Sequence, residues 1–400
     1  GVNVGNLIVS PLATGLFHRA CIQSAAPVIS SYPDARNKGI DFVNRFVPAG
    51  TDVQKIATLR SLVADSLLRY MTSPLSGGVT QMNWQPVLDQ VVFTDFPARK
   101  IQSGNYNKVP LMVGSNAEEM SLSAPQVVTP AMVNALINNT VPAALQSTAH
   151  QLYPSGSTAA EARTSYVAIL TDAQFTSPVR RTAQCVSQNQ MEPVWRYFFT
   201  HKHTIPQLAS YGSYHGMELF YEFNNWENAT LGQPFFFKPA DDSVQQVMLK
   251  YWVNFAKTGN PNGSGLPVWP QYSSAKDCFM NIKATPDGSY CGLRTARSDL
   301  WDAAAGFTNC TTSVETEDVE KNRKWAVFPN PSSGIFFLKL PAVLNRYQVT
   351  VYNSSGQTCL QVENVKQIDL TSQKDGLYLV DVTGEDIIFR GKVVKMGTKP

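Results

Sequence analysis

Two segments of the sequence carry residue types that could transfer a proton. His215 lies between small residues in the segment GSYHG at 212–216, whose backbone can bend to present the ring. Glu118 and Glu119 follow an apolar, strand-like run at 109–113. The chain has only 5 histidines, so few side chains can act as a general base. A carboxylate that orients His215 would create a base for hydrolysis, although each segment alone is also typical of a solvated loop.

Two further histidines could suggest a metal site. His201 and His203 lie two residues apart at the end of the strand-like run 194–199, so their side chains would face the same side. No third ligand is evident in the sequence, and a solvated strand end is the preferred interpretation. No metal and no cofactor is expected.

The elements around these residues predict an α/β domain. Strand-like runs at 20–23, 109–113 and 194–199 alternate with helical patterns. One helix is marked by an apolar stripe, by a capping residue among 241–243 and by Gly259 after its end. The stripe consists of Val244, Val247, Met248, Tyr251, Trp252 and Phe255. Trp252 could stack on a substrate, but burial in the core is the simpler interpretation. An acid that precedes a histidine along the chain is also the order of an α/β-hydrolase triad.

A charged segment separates this region from a second domain. Residues 311–324 read TTSVETEDVEKNRK, and half of them are charged, which is typical of a linker. Beyond it, β-branched and aromatic runs alternate with turns, which predicts a small β-sandwich. These runs are 335–340, 347–352, 359–362, 377–382 and 387–394. The expected division is an α/β domain at 1–307, a linker at 308–324 and a sandwich at 325–400.

Composition and charge exclude several classes of protein. Of the 400 residues, 43% are hydrophobic, and the formal net charge is only +3. We therefore expect no nucleic-acid partner and no transmembrane segment. The 6 cysteines are too few for a disulfide scaffold. Only Cys278 and Cys291, which flank a turn signal at 286–288, suggest a bridge, and the alternative is two buried thiols.

Residues 1 to about 307 resemble the C-terminal part of a type-B carboxylesterase, the cholinesterase-related branch of the α/β-hydrolases. The motifs that carry the resemblance are VSPLATGLFHRA at 9–20 with IQS at 22–24, WQPVLD at 84–89, VPLMVGSNAEE at 109–119, HGMEL at 215–219 and YWVNFAKTGNPN at 251–262. The resemblance implies an α/β-hydrolase fold and hydrolysis of a small-molecule carboxylic ester with no cofactor.

By the same resemblance, Glu119 is the triad acid and His215 the general base, and Ser24 matches a family serine near the buried acid that would support the site. The family's nucleophile stands in a G-x-S-x-G elbow immediately before the segment that matches residues 1–5, and a glycine-rich oxyanion loop lies further upstream. We therefore expect a partial α/β-hydrolase fold with the nucleophile elbow absent, inactive by itself. In two departures, Met120 replaces the glycine that usually follows the acid, and Glu118 makes the identity of the acid depend on register.

Residues 325–400 resemble the type IX secretion sorting domain of Bacteroidetes-type bacteria. The motifs are WAVFPNPSSG at 325–334, DGLYLV at 375–380 and KVVK at 392–395. The resemblance implies that type IX secretion machinery exports the protein, which is then secreted or attached to the outer-membrane surface. A carbohydrate-binding or spacer β-sandwich is the alternative.

These patterns together predict an exported bacterial serine carboxylester hydrolase. The alternative is a non-catalytic, cholinesterase-like surface module for binding or adhesion. The retained acid and histidine favour the enzyme, because a binding module needs neither Glu119 nor His215 in a triad position.

Overall fold

The structure is a computed structural model that describes residues 1–68, 84–223, 239–284, 288–310, 325–340, 346–384 and 388–397. Its contacts divide the chain into two compact units. Unit 1 comprises residues 1–28, 63–83 and 97–312, and unit 2 comprises 29–62, 84–96 and 313–400. Residues 311–324 of the predicted linker lie outside the described residues, so the domain limits at 307 and 325 stay predictions.

Helices and strands are numbered in chain order. The helices are α1 Val2–Val9, α2 Tyr32–Phe46, α3 Asp52–Ser61, α4 Ala64–Leu68, α5 Pro97–Gln102, α6 Pro130–Thr140, α7 Gln146–Leu152, α8 Ala159–Thr171, α9 Ser177–Asn189, α10 Pro206–Ala209, α11 Met217–Phe223, α12 Pro239–Thr258 and α13 Thr295–Ala304. The strands are β1 Ala20–Gln23, β2 Leu111–Asn116, β3 Val194–Phe199, β4 Cys278–Ile282, β5 Ser289–Cys291, β6 Ala326–Phe328, β7 Ile335–Lys339, β8 Gln348–Asn353, β9 Thr358–Glu363, β10 Gln367–Asp369, β11 Gly376–Thr383 and β12 Ile388–Lys395.

Unit 1 is built around a five-stranded sheet with the order β1-β2-β3-β4-β5. Strands β1 to β4 are parallel neighbours, and β5 is antiparallel to β4. Every residue of β2 and β3 is buried, as expected where both faces of parallel strands are covered. The predicted α/β class is thus confirmed, and the carboxyl ends of β2 and β3 lie side by side.

The predicted amphipathic helix is confirmed as α12. Its apolar stripe lies in the main core of unit 1, where Trp252 packs against Tyr197 and Trp269. The helix begins at Pro239, so the expected capping residues lie in its first turn instead.

Two disulfides lie in unit 1. Cys278 and Cys291 are paired across β4 and β5 and are bonded, so the bridge and not the pair of buried thiols is observed; residues 285–287 of the turn lie outside the described residues. Cys185 and Cys310, 125 residues apart, form a second disulfide. We did not predict this pair, because the spacing of distant cysteines carries no pairing information.

The C-terminal part of unit 2 consists of two antiparallel sheets. Their orders are β10-β7-β6 and β12-β11-β8-β9. Both sheets contribute to one apolar core, to which Phe336 and Ile368 come from the first sheet and Val351 and Val380 from the second. This is the arrangement of the small β-sandwich that the alternating runs predicted.

Candidate active site

Glu119 lies on the turn that follows β2. It is 1% exposed. At the end of β2, the backbone N–H of Asn116 donates a hydrogen bond of 2.6 Å to Glu119 Oε1. Because the backbone holds Glu119 Oε1, the position of the other carboxylate oxygen, Oε2, is also fixed.

His215 is held beside this carboxylate by two contacts. The distance from its imidazole Nδ1 to Glu119 Oε2 is 2.7 Å. Its backbone N–H donates to the Glu119 carbonyl oxygen at 3.1 Å. The His215 side chain is 43% exposed, in contrast to the buried acid. Since Glu119 accepts the hydrogen on Nδ1, Nε2 is the nitrogen that can take a proton from another group.

The surroundings of His215 favour its protonated form. The hydrogen bond to Glu119 raises the pKa of His215, and burial opposes this rise. The negative charges of Glu119 and Glu218 act in the same direction as the hydrogen bond. A general base becomes positively charged when it accepts a proton, so these groups stabilise that product.

A second buried carboxylate, Glu218, lies next to this pair. One of its oxygens accepts from Asn116 Nδ2, and the other accepts from the Ser24 hydroxyl at 3.2 Å. Burial, followed by repulsion from Glu119, raises the pKa of Glu218 to about 7. Ser24 therefore lies in the site, but it contacts Glu218 and not the expected acid. Asn116 joins the two acids, one through its backbone and the other through its side chain.

Comparison with known proteins gives this arrangement a context. Residues 1–301, more than half of the chain, match the model of the Carboxylesterase family. The chain belongs to the carboxylesterase family. This membership implies the α/β-hydrolase fold, with which the parallel strands of unit 1 agree.

Several mammalian esterases are similar to this carboxylesterase chain. Carboxylesterase 5A of Canis lupus familiaris is 27% identical over 300 residues, which are 69% of this chain and 50% of that protein. Acylcarnitine hydrolase of Mus musculus is 25% identical, with 68% and 50% covered. Pyrethroid hydrolase Ces2a of Mus musculus is 24% identical, with 68% and 50% covered. The chain thus spans about half the length of the curated relatives it matches.

The C-terminal sandwich has a match of its own. Residues 326–396 match the model of the Secretion system C-terminal sorting domain. This match points to secretion and to a location at the cell surface or outside the cell. Within the described part of the chain, no helix has the length and apolar character needed to cross a membrane.

Two residues of the candidate site could not be found from the sequence. The available signal for Glu218 was an acid three residues after the candidate base, within the HGMEL motif. Phe175 lies in a π-helical turn at Asp172–Thr176, and its ring centroid is 5.3 Å from that of His215. Such turns are frequent at functional sites, but no sequence signal places Phe175 beside His215.

The interpretation of His201 and His203 as a solvated strand end is wrong, because both are buried. His201 Nε2 lies 2.7 Å from Oδ1 of the buried Asp241, in the first turn of α12. His203 Nδ1 accepts a hydrogen bond from the Ile205 backbone. Packing of α12 against the end of β3 thus supplies a carboxylate where we had expected water. Among the residues that the structure describes, no three metal-ligating side chains are grouped together.

Proposed function

We propose that this protein is a serine carboxylester hydrolase in which Glu119 is the triad acid and His215 the general base. The observation that carries the proposal is the 2.7 Å contact between His215 Nδ1 and the buried Glu119 carboxylate. This contact favours the tautomer with hydrogen on Nδ1, which leaves Nε2 basic. Membership of the carboxylesterase family supports an ester as the substrate.

The proposed reaction is acyl transfer to serine and then to water. The serine oxygen attacks the ester carbonyl while His215 Nε2 takes its proton. Glu119 stabilises the imidazolium, which then gives the proton to the leaving alcohol. Water, activated by His215 in the same way, releases the acid from the acyl-serine.

We infer that the nucleophile lies three residues before Gly1, as the resemblance implies. The 400 residues contain no G-x-S-x-G motif. Gly1 immediately precedes α1, and a Cβ atom there would lie 2.1 Å from the Gln23 carbonyl oxygen at the end of β1. This close approach supports entry of the chain into α1 at the end of β1, and the 400-residue chain alone is proposed to be inactive.

The test compares p-nitrophenyl acetate hydrolysis by the 400-residue chain and by a protein that also carries the residues encoded upstream. We expect hydrolysis only by the longer protein and a loss of about 10⁴-fold or more in kcat after His215→Ala. His150→Ala is the control, because His150 is bonded to Asn138 outside the site. Activity of the 400-residue chain that disappears with His215→Ala would contradict the position of the nucleophile. A longer protein without activity would favour the binding or adhesion module.

We also propose that residues 325–400 direct export by the type IX secretion machinery of a Bacteroidetes-type bacterium. The sorting-domain match at 326–396 supports this role. Deletion of residues 325–400 should retain the protein inside the outer membrane, as measured by cell fractionation. Export of the deleted protein at the original level would argue against it.

A further inference from the structure

We propose that Glu118 is a positioning residue that anchors the loop carrying His215. The inference rests on the proposed function, because it assigns a role in that site. At the sequence level, Glu118 and Glu119 were distinguished by register alone. The structure gives them different partners, since Glu119 contacts His215 whereas Glu118 contacts the backbone two residues earlier.

Glu118 bonds both polar backbone groups of Ser213. Its Oε2 accepts a hydrogen bond of 2.9 Å from the Ser213 N–H. Its own backbone N–H donates to the Ser213 carbonyl oxygen at 3.2 Å. Ser213 can therefore neither rotate nor shift without breaking a contact to the residue that precedes the triad acid.

The carboxylate of Glu118 also packs tightly against the turn. Gly212 has a φ of +65°, and a Cβ atom on it would lie 2.7 Å from Glu118 Cδ. Two more hydrogen bonds hold the segment 211–214. The Ser121 hydroxyl donates to the Tyr211 carbonyl, and Asn116 Nδ2 donates to the Tyr214 carbonyl. The segment 116–121, which carries Glu119, is thus joined to the segment 211–215 at several positions up to His215.

The oxygen of Glu118, and not its charge, is what this contact requires. Lys202 Nζ lies 3.3 Å from Glu118 Oε1, but the Lys202 side chain is 58% exposed, and such surface pairs contribute little. Glu118→Gln keeps an acceptor oxygen at the same reach and loses the charge. Glu118→Asp keeps the charge, but its side chain is one methylene too short to reach Ser213.

The experiment is a histidine NMR titration of the 400-residue chain, with the His215 signal assigned from His215→Gln. We expect Glu118→Gln and the control Lys202→Gln to retain the raised pKa of His215. Glu118→Asp and Glu118→Ala should lower that pKa towards the ordinary histidine value, because the contact with Glu119 loosens. In an active longer protein, Glu118→Asp should lower kcat by about 10- to 100-fold with little change in KM.

Two results would overturn the inference. One is a His215 pKa that is the same in Glu118→Asp as in the unsubstituted chain. The other is a Glu118→Gln variant that titrates like Glu118→Asp, since charge would then be the decisive property. If Glu118→Ala does not fold, the comparison of the Asp and Gln variants still decides. The titration needs no ester hydrolysis. If the longer protein is inactive in the ester assay but the 400-residue chain shows the expected pKa pattern, the proposed function is contradicted and the role of Glu118 stays intact.

Discussion

Replacement of the buried Glu218 by glutamine tests the electrostatics of the candidate site. In the structure, Asn116 Nδ2 donates to one Glu218 oxygen and the Ser24 hydroxyl donates to the other. A glutamine can keep its oxygen towards Asn116 and turn its NH₂ group to Ser24, whose hydroxyl then accepts. The substitution therefore removes a negative charge with little change in shape.

The expected effect on stability depends on pH. Burial and the charge of Glu119 raise the pKa of Glu218 from 4.5 to about 7, a shift that corresponds to about 3 kcal/mol. Between pH 4.5 and about 7, Glu218 stays protonated in the folded protein but is ionised in the unfolded chain. The free energy of unfolding of the unsubstituted protein should therefore fall as pH rises through this window. Relative to it, the Glu218→Gln variant should gain about 3 kcal/mol between pH 4.5 and about 7.

The assay is denaturant unfolding of both proteins across this pH range, followed by tryptophan fluorescence. Glu161→Gln is the control, because hydrogen bonds from Ser157 and Thr158 lower the pKa of that exposed carboxylate to about 2. The difference in the free energy of unfolding between Glu161→Gln and the unsubstituted protein should change only at acid pH and should stay constant above about pH 5. If the difference in the free energy of unfolding between Glu218→Gln and the unsubstituted protein is also constant between pH 4.5 and about 7, the reasoning is refuted. Such a result would mean that burial does not suppress ionisation of Glu218.

Three further variants test contacts inside unit 1 or inside unit 2. Serines at Cys278 and Cys291 remove a bridge with a sequence separation of 13 and should lower stability by about 3 kcal/mol; an unchanged urea midpoint would contradict this. Asn330→Ala removes hydrogen bonds to the Lys392 carbonyl and the Val394 N–H of β12, which should cost about 1–3 kcal/mol and speed hydrogen exchange of the Val394 amide; unchanged protection would exclude this role. Gly114→Ala places a Cβ atom 2.3 Å from the Tyr197 ring and should lower the free energy of unfolding by about 1–3 kcal/mol, as measured by thermal unfolding. In the control Gly39→Ala, the added Cβ atom meets no atom within 4 Å, so the protein should not be destabilised.

Elements with a long local pattern could be predicted from the sequence. The run at 194–199 coincides with β3, and the stripe around Trp252 lies on α12. Strands β6 and β10 were missed, because each has three residues and is defined by its pairing with β7. A three-residue segment is too short for alternation to be recognised.

The contacts that build the candidate site join distant parts of the chain, which local patterns do not encode. Glu119 and His215 are 96 residues apart, and Ser24 and Glu218 are 194 apart. The resemblance supplied the first pair, because its motifs at 109–119 and 215–219 stay in register with the family. At the departure, the Met120 N–H donates a hydrogen bond to the Thr171 hydroxyl. The protonation of Glu218 was beyond such reasoning. Its raised pKa depends on burial at the meeting point of β1, β2 and α11 and on the nearby charge of Glu119, which only the folded structure brings together.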